Sequence, residues 1–442
     1  MRRTSFLSTT ESLLWTVTVW EASLVILLGT LSPTGPLAWL GMATRLGLDE
    51  AGRIGRIVML YHSLAIPFVA ALVYLILDAL PFDEIIPRLV RPTITAGYFL
   101  TSTGGLSFAY LRAGWIAHGV FLVGLSLTFY AGAILWWGLS PWRAPDGRSL
   151  ERWAFWLMAL YSLISAAIGG AVGAHFGHGF KAFLAEDLLR VEHDLFQRAI
   201  IAHLHIMLTL IDVALLLLVA HRVGITGLAY KITIPLIIAG TTITTFATWS
   251  VIFVGGVAHR IITVGAVILL TGAAIVALYG MRSLIRERPD RPALKALLSD
   301  PVSFGMLFQL LFVNLVVTAP GIWVAVNLEA IRAGDLAWER TFAVGHWHVL
   351  ATLSATIGLL LVVDRLGARG WLRQAVGWGV LAGSILAFSA AQLYMFRQPG
   401  TAPAQTTILV IDAGIGLFFL ALGLWAAATG PSVMRRPEGR RD

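Results

Sequence analysis

The sequence predicts an all-α integral membrane protein of twelve transmembrane helices, divided into three pseudo-symmetric sets of four. Three observations carry this prediction. Of 442 residues, 57% are hydrophobic and 13% charged, about half the charge of a soluble domain. Apolar runs of about 20 residues, long enough to cross a hydrocarbon core of roughly 30 Å, recur from end to end. Histidine-bearing segments return along the chain at a constant interval.

The spans are predicted at 13–31, 57–80, 94–111, 115–139, 153–175, 199–220, 232–256, 260–280, 303–327, 342–364, 371–393 and 405–428. The third is diluted by Thr95, Thr101, Ser102, Thr103 and several glycines. The first follows Arg2 and Arg3 but has no small-residue cleavage site after it, so it reads as a retained helix. No stretch is left for a soluble domain, and residues 1–442 read as one membrane domain with internal repeats at approximately 1–150, 151–300 and 301–442. With twelve spans both termini share a side. The termini and the loops after even-numbered spans, counting Arg373 at the edge of the eleventh span, hold 21 of the 32 Lys and Arg residues. The positive-inside rule then makes both termini cytoplasmic, in a multi-pass protein of the cell's inner (plasma) membrane.

The net charge of +8 lies in loops and tails, not in a patch interleaved with aromatics, so it reads as topology charge rather than a nucleic-acid surface. Cysteine is absent. That excludes iron-sulfur clusters, thiol catalysis, disulfides and covalent c-type haem attachment. Any cofactor must rest on His, Met, Tyr or carboxylates.

The repeat appears when three segments are set side by side: IVMLYHSLAIPFVAALVYLI from Ile57, IIAHLHIMLTLIDVALLLLV from Ile200, and AVGHWHVLATLSATIGLLLV from Ala343. His62, His205 and His348 are evenly spaced along the chain, and the same spacing separates His203 from His346. The register that aligns these histidines also aligns the spans, which argues for threefold internal symmetry. All five fall in spans entering from the outer side, within the outer third of the bilayer.

A polar group at that depth needs a partner or a ligand. In the H-x-H pairs, positions i and i+2 leave a helix about 200° apart. They chelate one ion poorly, but suit a helix standing between two sites. Flat macrocycles fit between helices, and imidazole is a common axial ligand to haem iron. Of the other histidines, His221 and His259 read as interfacial, His118 opens the fourth span, and His175, His178 and His193 line the connection before the sixth.

Twelve helices, a histidine on helix 2 and an H-x-H on helix 10 resemble subunit I of the haem-copper oxidases, the family of cytochrome oxidases and nitric oxide reductases. The segment from Phe342 to Leu360, FAVGHWHVLATLSATIGLL, looks like that family's helix 10. The resemblance implies three four-helix arcs. It implies His62 and His348 as ligands of a low-spin haem and His346 as proximal ligand of a second haem. The family's copper site takes an adjacent His-His pair from helix 7, and 232–256 contains no histidine. Met207 and Thr209 stand where many oxidases carry a tyrosine on helix 6, and Glu21 and Asp212 read as satisfied polar residues.

Copper is therefore not expected, and His203 or His205 is available to the second haem, with the choice between them open. The resulting expectation is a membrane cytochrome b, the electron-transfer subunit of an oxidoreductase complex. It would carry one or two non-covalent b haems and exchange electrons with a redox partner subunit or cytochrome c on the outer side, and with quinone or another carrier. Arg53, Arg56, Arg198, Arg340 and Arg397 are the candidates to meet anionic haem propionates. A divergent nitric oxide or oxygen reductase is the alternative, and a transporter using the histidines as its pathway is a third.

The topology is directly testable. A single cysteine placed between Arg282 and Lys295 should escape an impermeant thiol reagent in intact cells and react after permeabilisation. Labelling in intact cells would reverse the assignment.

Overall fold

The computed structural model describes residues 9–31, 35, 37–41, 53–111, 114–143, 149–177, 195–254, 256–334, 336–394, 396–397 and 401–435. The described residues are helical throughout, without strands, as a chain immersed in hydrocarbon requires when each segment must satisfy its own backbone. The long helices are α1 (Thr10–Leu31), α2 (Arg53–Ala79), α3 (Ile85–Leu106), α4 (Trp115–Gly138), α5 (Ser149–Gly177) and α6 (Leu195–Val223). They continue with α7 (Gly227–Ser250), α8 (Gly256–Arg286), α9 (Pro301–Val326), α10 (Leu336–Arg365), α11 (Gly370–Tyr394) and α12 (Ala402–Arg435).

Among the described residues, eleven helices are long and apolar enough to cross a membrane, and the protein is an all-α integral membrane protein. The exception is α3. Its 22 residues include Arg88, Arg91, Pro87, Pro92 and a Thr/Ser/Gly-rich second half, which dilute its hydropathy.

Two compact units divide the chain. One comprises 12–210 with 248–254, and the other 211–247 and 255–442 with the first eleven residues. We call them the N-terminal and C-terminal units.

In the N-terminal unit, α3 and α4 approach so closely that a Cβ at Gly104 would lie 2.5 Å from the Phe121 backbone nitrogen, and one at Gly124 would strike Thr101. Small residues at such crossings let backbones touch, a main source of packing energy where lipid removes the hydrophobic drive. Pro67 interrupts α2. Having no N–H, it leaves the Ser63 carbonyl without its helical donor. The Ser102 hydroxyl of α3 donates to that carbonyl at 2.9 Å. At the unit's other end the buried Arg152 of α5 donates to Pro81 O at 2.9 Å and Gly138 O at 2.8 Å, tying together the chain ends beyond α2 and at α4.

The C-terminal unit repeats the proline device. In α9, Pro320 strips the donor from the Val316 carbonyl, the helix widens into a π-turn at Asn314–Thr318, and the Gln392 amide of α11 donates to Val316 O. Just beside it, Val313 and Val317 of α9, Val349 and Leu353 of α10, and Ala387 and Phe388 of α11 form a buried cluster. The Asp212 carboxylate accepts from Ser354, joining the second half of α6 to α10.

A chain of ions closes the end of this unit remote from the histidines. Arg222 pairs with Asp364, Asp364 pairs with Arg373 at 2.8 Å, and Arg373 grips Asp300 through two bonds of 2.8 and 2.9 Å. Asp300 also caps α9, accepting from the Ser303 backbone at 3.3 Å and the Ser303 hydroxyl at 2.9 Å. The Asp364 side chain is only 6% exposed. Partly buried carboxylates of this kind are stabilising only while both signs are present.

Burial alone would raise the Asp300 carboxyl, but the hydrogen bonds and charge of Arg373, together with Ser303, hold it below the usual carboxylate range. A depressed folded-state pKa gives stability that is fully present above the unfolded value of about 4 and is lost as pH falls through the folded value. Thermal stability in detergent should therefore be flat from neutrality to about pH 5 and fall below about pH 4. Asp300→Asn should cost about 1–3 kcal/mol at neutral pH and flatten part of the acid limb. An acid limb identical to wild type would remove Asp300 from this role.

Candidate functional site

His62, His203 and His205 each have one ring nitrogen held by a backbone carbonyl. His62 Nδ1 donates to Val58 O at 2.8 Å, His205 Nδ1 to Ile201 O at 3.0 Å, and His203 Nδ1 to Ser165 O at 2.8 Å. The first two bonds are local, reaching back one turn of α2 and α6. The third crosses from α6 to α5. A carbonyl can only accept, so Nδ1 carries the proton in each neutral ring and Nε2 keeps its lone pair. This is the tautomer of an imidazole ready to ligate a metal through Nε2, with a carbonyl behind it fixing the ring's orientation.

Within the N-terminal unit the rings of His62 and His203 are brought together. Their centroids are 6.4 Å apart and their planes lie within 16° of parallel. Two nitrogens each about 2.0 Å from a shared metal would put the ring centres roughly 6 Å apart. The Phe121 ring of α4 stands edge-on to His62, with centroids 5.8 Å apart. Behind His203, a Cβ at Gly169 would lie 2.5 Å from ring Cε1 and 2.6 Å from Nδ1, so the imidazole rests against the α5 backbone itself. His205 leaves α6 about 200° away from His203 and bonds its own helix.

His346 and His348 belong to the C-terminal unit. The His346 ring stacks on Phe342 one turn earlier, at 5.5 Å and 25°, and lies against Gly321 of α9, with Cε1 2.6 Å from a Cβ placed there. His348 is exposed, and its carbonyl accepts from Thr352 at 2.6 Å.

The candidate arginines differ in environment. Arg56 has Nε and Nη1 buried with no hydrogen-bond partner, an arrangement suited to an anion reaching it from outside the chain. Arg198 donates to Ile252 O at 3.4 Å, and Arg397 is exposed. The side chains of Arg53 and Arg340 lie outside the described residues, as do His178, His193 and the ring of His175.

Among the described residues, no group of three or more His, Cys, Asp or Glu is placed to hold a metal ion. What the site offers is two neutral imidazoles in near-parallel planes. That donor set fits an axially ligated macrocycle, which brings its own four equatorial nitrogens, better than a bare ion needing three or four side chains.

Ser165, Gly169, Phe121, Phe342 and Gly321 shape these sites, although the sequence does not single them out. Gly169 opens a Gly-Gly pair and lies one turn after Ser165 in α5, a signal shared with many helix-packing glycines. No model of a known protein family matches the chain, and no curated protein matches its sequence.

Proposed function

We propose that the chain is a membrane cytochrome b: a copper-free relative of haem-copper oxidase subunit I, with twelve spans in three arcs, cytoplasmic termini in the inner membrane, and one or two b haems. The observation that carries this reading is the near-parallel pair of His62 and His203, each with Nδ1 held by a carbonyl and Nε2 left to ligate. Bound haem would supply one-electron chemistry between ferric and ferrous iron.

The chain's own residues do the rest. Val58 O and Ser165 O fix the tautomers and aim the rings. Phe121 and the Gly169 backbone confine them, and Arg56 offers unsatisfied donors to a propionate. His62 and His203 would hold the haem from both sides and leave no room for a gas ligand, so the site would serve electron transfer rather than gas chemistry. On this reading the partner is a redox subunit or cytochrome c on the outer side, with quinone or another carrier at the other end of the path.

This pairing differs from the His62–His348 pairing that the resemblance implies, and mutation separates the two. His62→Ala and His203→Ala should each remove the same low-spin haem from the reduced-minus-oxidised spectrum, and His348→Ala should leave that haem in place. Loss of one common haem in His62→Ala and His348→Ala, with His203→Ala unaffected, would restore the family's pairing. A purified protein without a Soret band would end the cytochrome reading and favour a transporter.

Carbon monoxide decides between carrier and reductase. The reduced wild-type spectrum should scarcely respond, while His203→Ala should open an axial position and create a response. Strong carbon monoxide binding by intact wild-type protein would mean a five-coordinate haem and a gas reductase.

A further inference from the structure

Two imidazoles in different units each rest against a glycine. A Cβ at Gly169 would lie 2.5, 2.6 and 2.8 Å from Cε1, Nδ1 and Nε2 of His203. Near-equal distances to three ring atoms mean that the ring presents its face to the Gly169 backbone. A Cβ at Gly321 would lie 2.6, 3.2 and 3.4 Å from Cε1, Nε2 and Nδ1 of His346. Real Cβ atoms do not approach other atoms so closely, so any side chain at either position would push the imidazole away.

The two histidines are equivalent members of the sequence repeat, each the first of its H-x-H. Their glycines are not equivalent in sequence, because Gly169 precedes His203 by a longer stretch of chain than Gly321 precedes His346. The contact therefore recurs in space although the intervening chain differs in length, as expected if the ring's seat matters and the connection does not. At both Gly169 and Gly321 the three atoms nearest an added Cβ belong to the first histidine of the pair.

The seat also fixes direction. Ser165, whose carbonyl takes the His203 Nδ1 proton, precedes Gly169 by one helical turn, so acceptor and glycine sit on one face of α5. The glycine lets the ring come down onto the helix, the carbonyl stops its rotation, and Nε2 is left to ligate.

We propose that Gly169 and Gly321 are positioning residues that seat the His203 imidazole by its face and the His346 imidazole by its Cε1 edge against the helix backbone for axial ligation. The proposal rests on the haem reading above and deepens it. It assigns the first, not the second, histidine of each H-x-H to the seated role.

The test compares Gly169→Ala and Gly321→Ala with Gly170→Ala and Gly173→Ala, two α5 positions where an added Cβ meets nothing within 4 Å. In purified holoprotein, Gly169→Ala should shift the low-field electron paramagnetic resonance signal of the haem that His203→Ala removes, and raise its carbon monoxide-bound fraction several-fold. Its midpoint potential should rise, because a displaced ring loses the Ser165 carbonyl that makes it a stronger donor. Gly321→Ala should change the haem that depends on His346, and the two controls should match wild type. Unchanged signals and potentials in both glycine variants would overturn the proposal.

Two further measurements do not require haem. Nitrogen-15 resonances of labelled histidine should show one Nδ1 losing its hydrogen bond in Gly169→Ala. If this shift appears in a protein without a Soret band, the cytochrome reading fails while the seat stands as geometry. If haem is present and no histidine shifts, the proposal fails and the cytochrome reading survives. Where Gly169→Ala alone does not fold, a cycle with His203→Ala decides: removing the ring should recover most of the lost yield and thermal stability. A double variant as poor as Gly169→Ala would show that the crowding is not with this imidazole.

Discussion

Hydrocarbon offers no hydrogen bonds, and this constraint organises nearly every polar contact in the protein. A helix satisfies its own backbone except where proline removes a donor, and there a side chain from the next helix must supply one. Pro67 is answered by Ser102 and Pro320 by Gln392, each donating to the carbonyl one turn before the proline. Each such patch fixes the rotation of one helix relative to its neighbour more tightly than apolar packing can, because a hydrogen bond is directional and a methyl contact is not. The prolines thus create demands that specify partners.

The histidines obey the same constraint. An imidazole in a span has one nitrogen that must donate and one that must accept, and carbonyls are the acceptors that a helical membrane protein can spare. Once Val58, Ile201 and Ser165 take the Nδ1 protons, the tautomer of each ring is decided. The geometry separates the two members of the second H-x-H. His205 bonds a carbonyl of its own helix, whereas His203 bonds a carbonyl of α5 and so fixes where α6 lies against it. The histidine that reaches across helices is also the one whose ring lies parallel to His62.

The all-helical membrane fold was legible in the chain because the bilayer writes a strong one-dimensional signal in apolar length. The i, i+2 spacing correctly implied that His203 and His205 face different ways. Which one faces His62 depends on helix rotation, and that is set by contacts spread over several elements, Ser165 and Gly169 among them. A glycine that seats a ring and one that packs a backbone, such as Gly104, look alike in sequence because the difference lies entirely in what approaches them. The α3 segment shows the same limit. Its sequence suggested a diluted span over 94–111, whereas the helix begins at Ile85 and changes to a π-turn at Ser107–Leu111. The extra turns come from a stretch whose arginines and prolines argue against a span but not against a helix.

The three histidine-bearing segments are not equal in sequence, and the inequality has a chemical sense. His62 occupies the second position of the H-x-H register in the first segment, and His203 the first position in the second. The pair therefore joins unlike positions of successive segments. An interaction of this kind has a direction along the repeat: one segment offers its second position onward, and the next receives at its first. The first segment carries Leu60 where the others carry His203 and His346. Repetition supplies comparable helices, and the chemistry is then set by where the segments cease to agree.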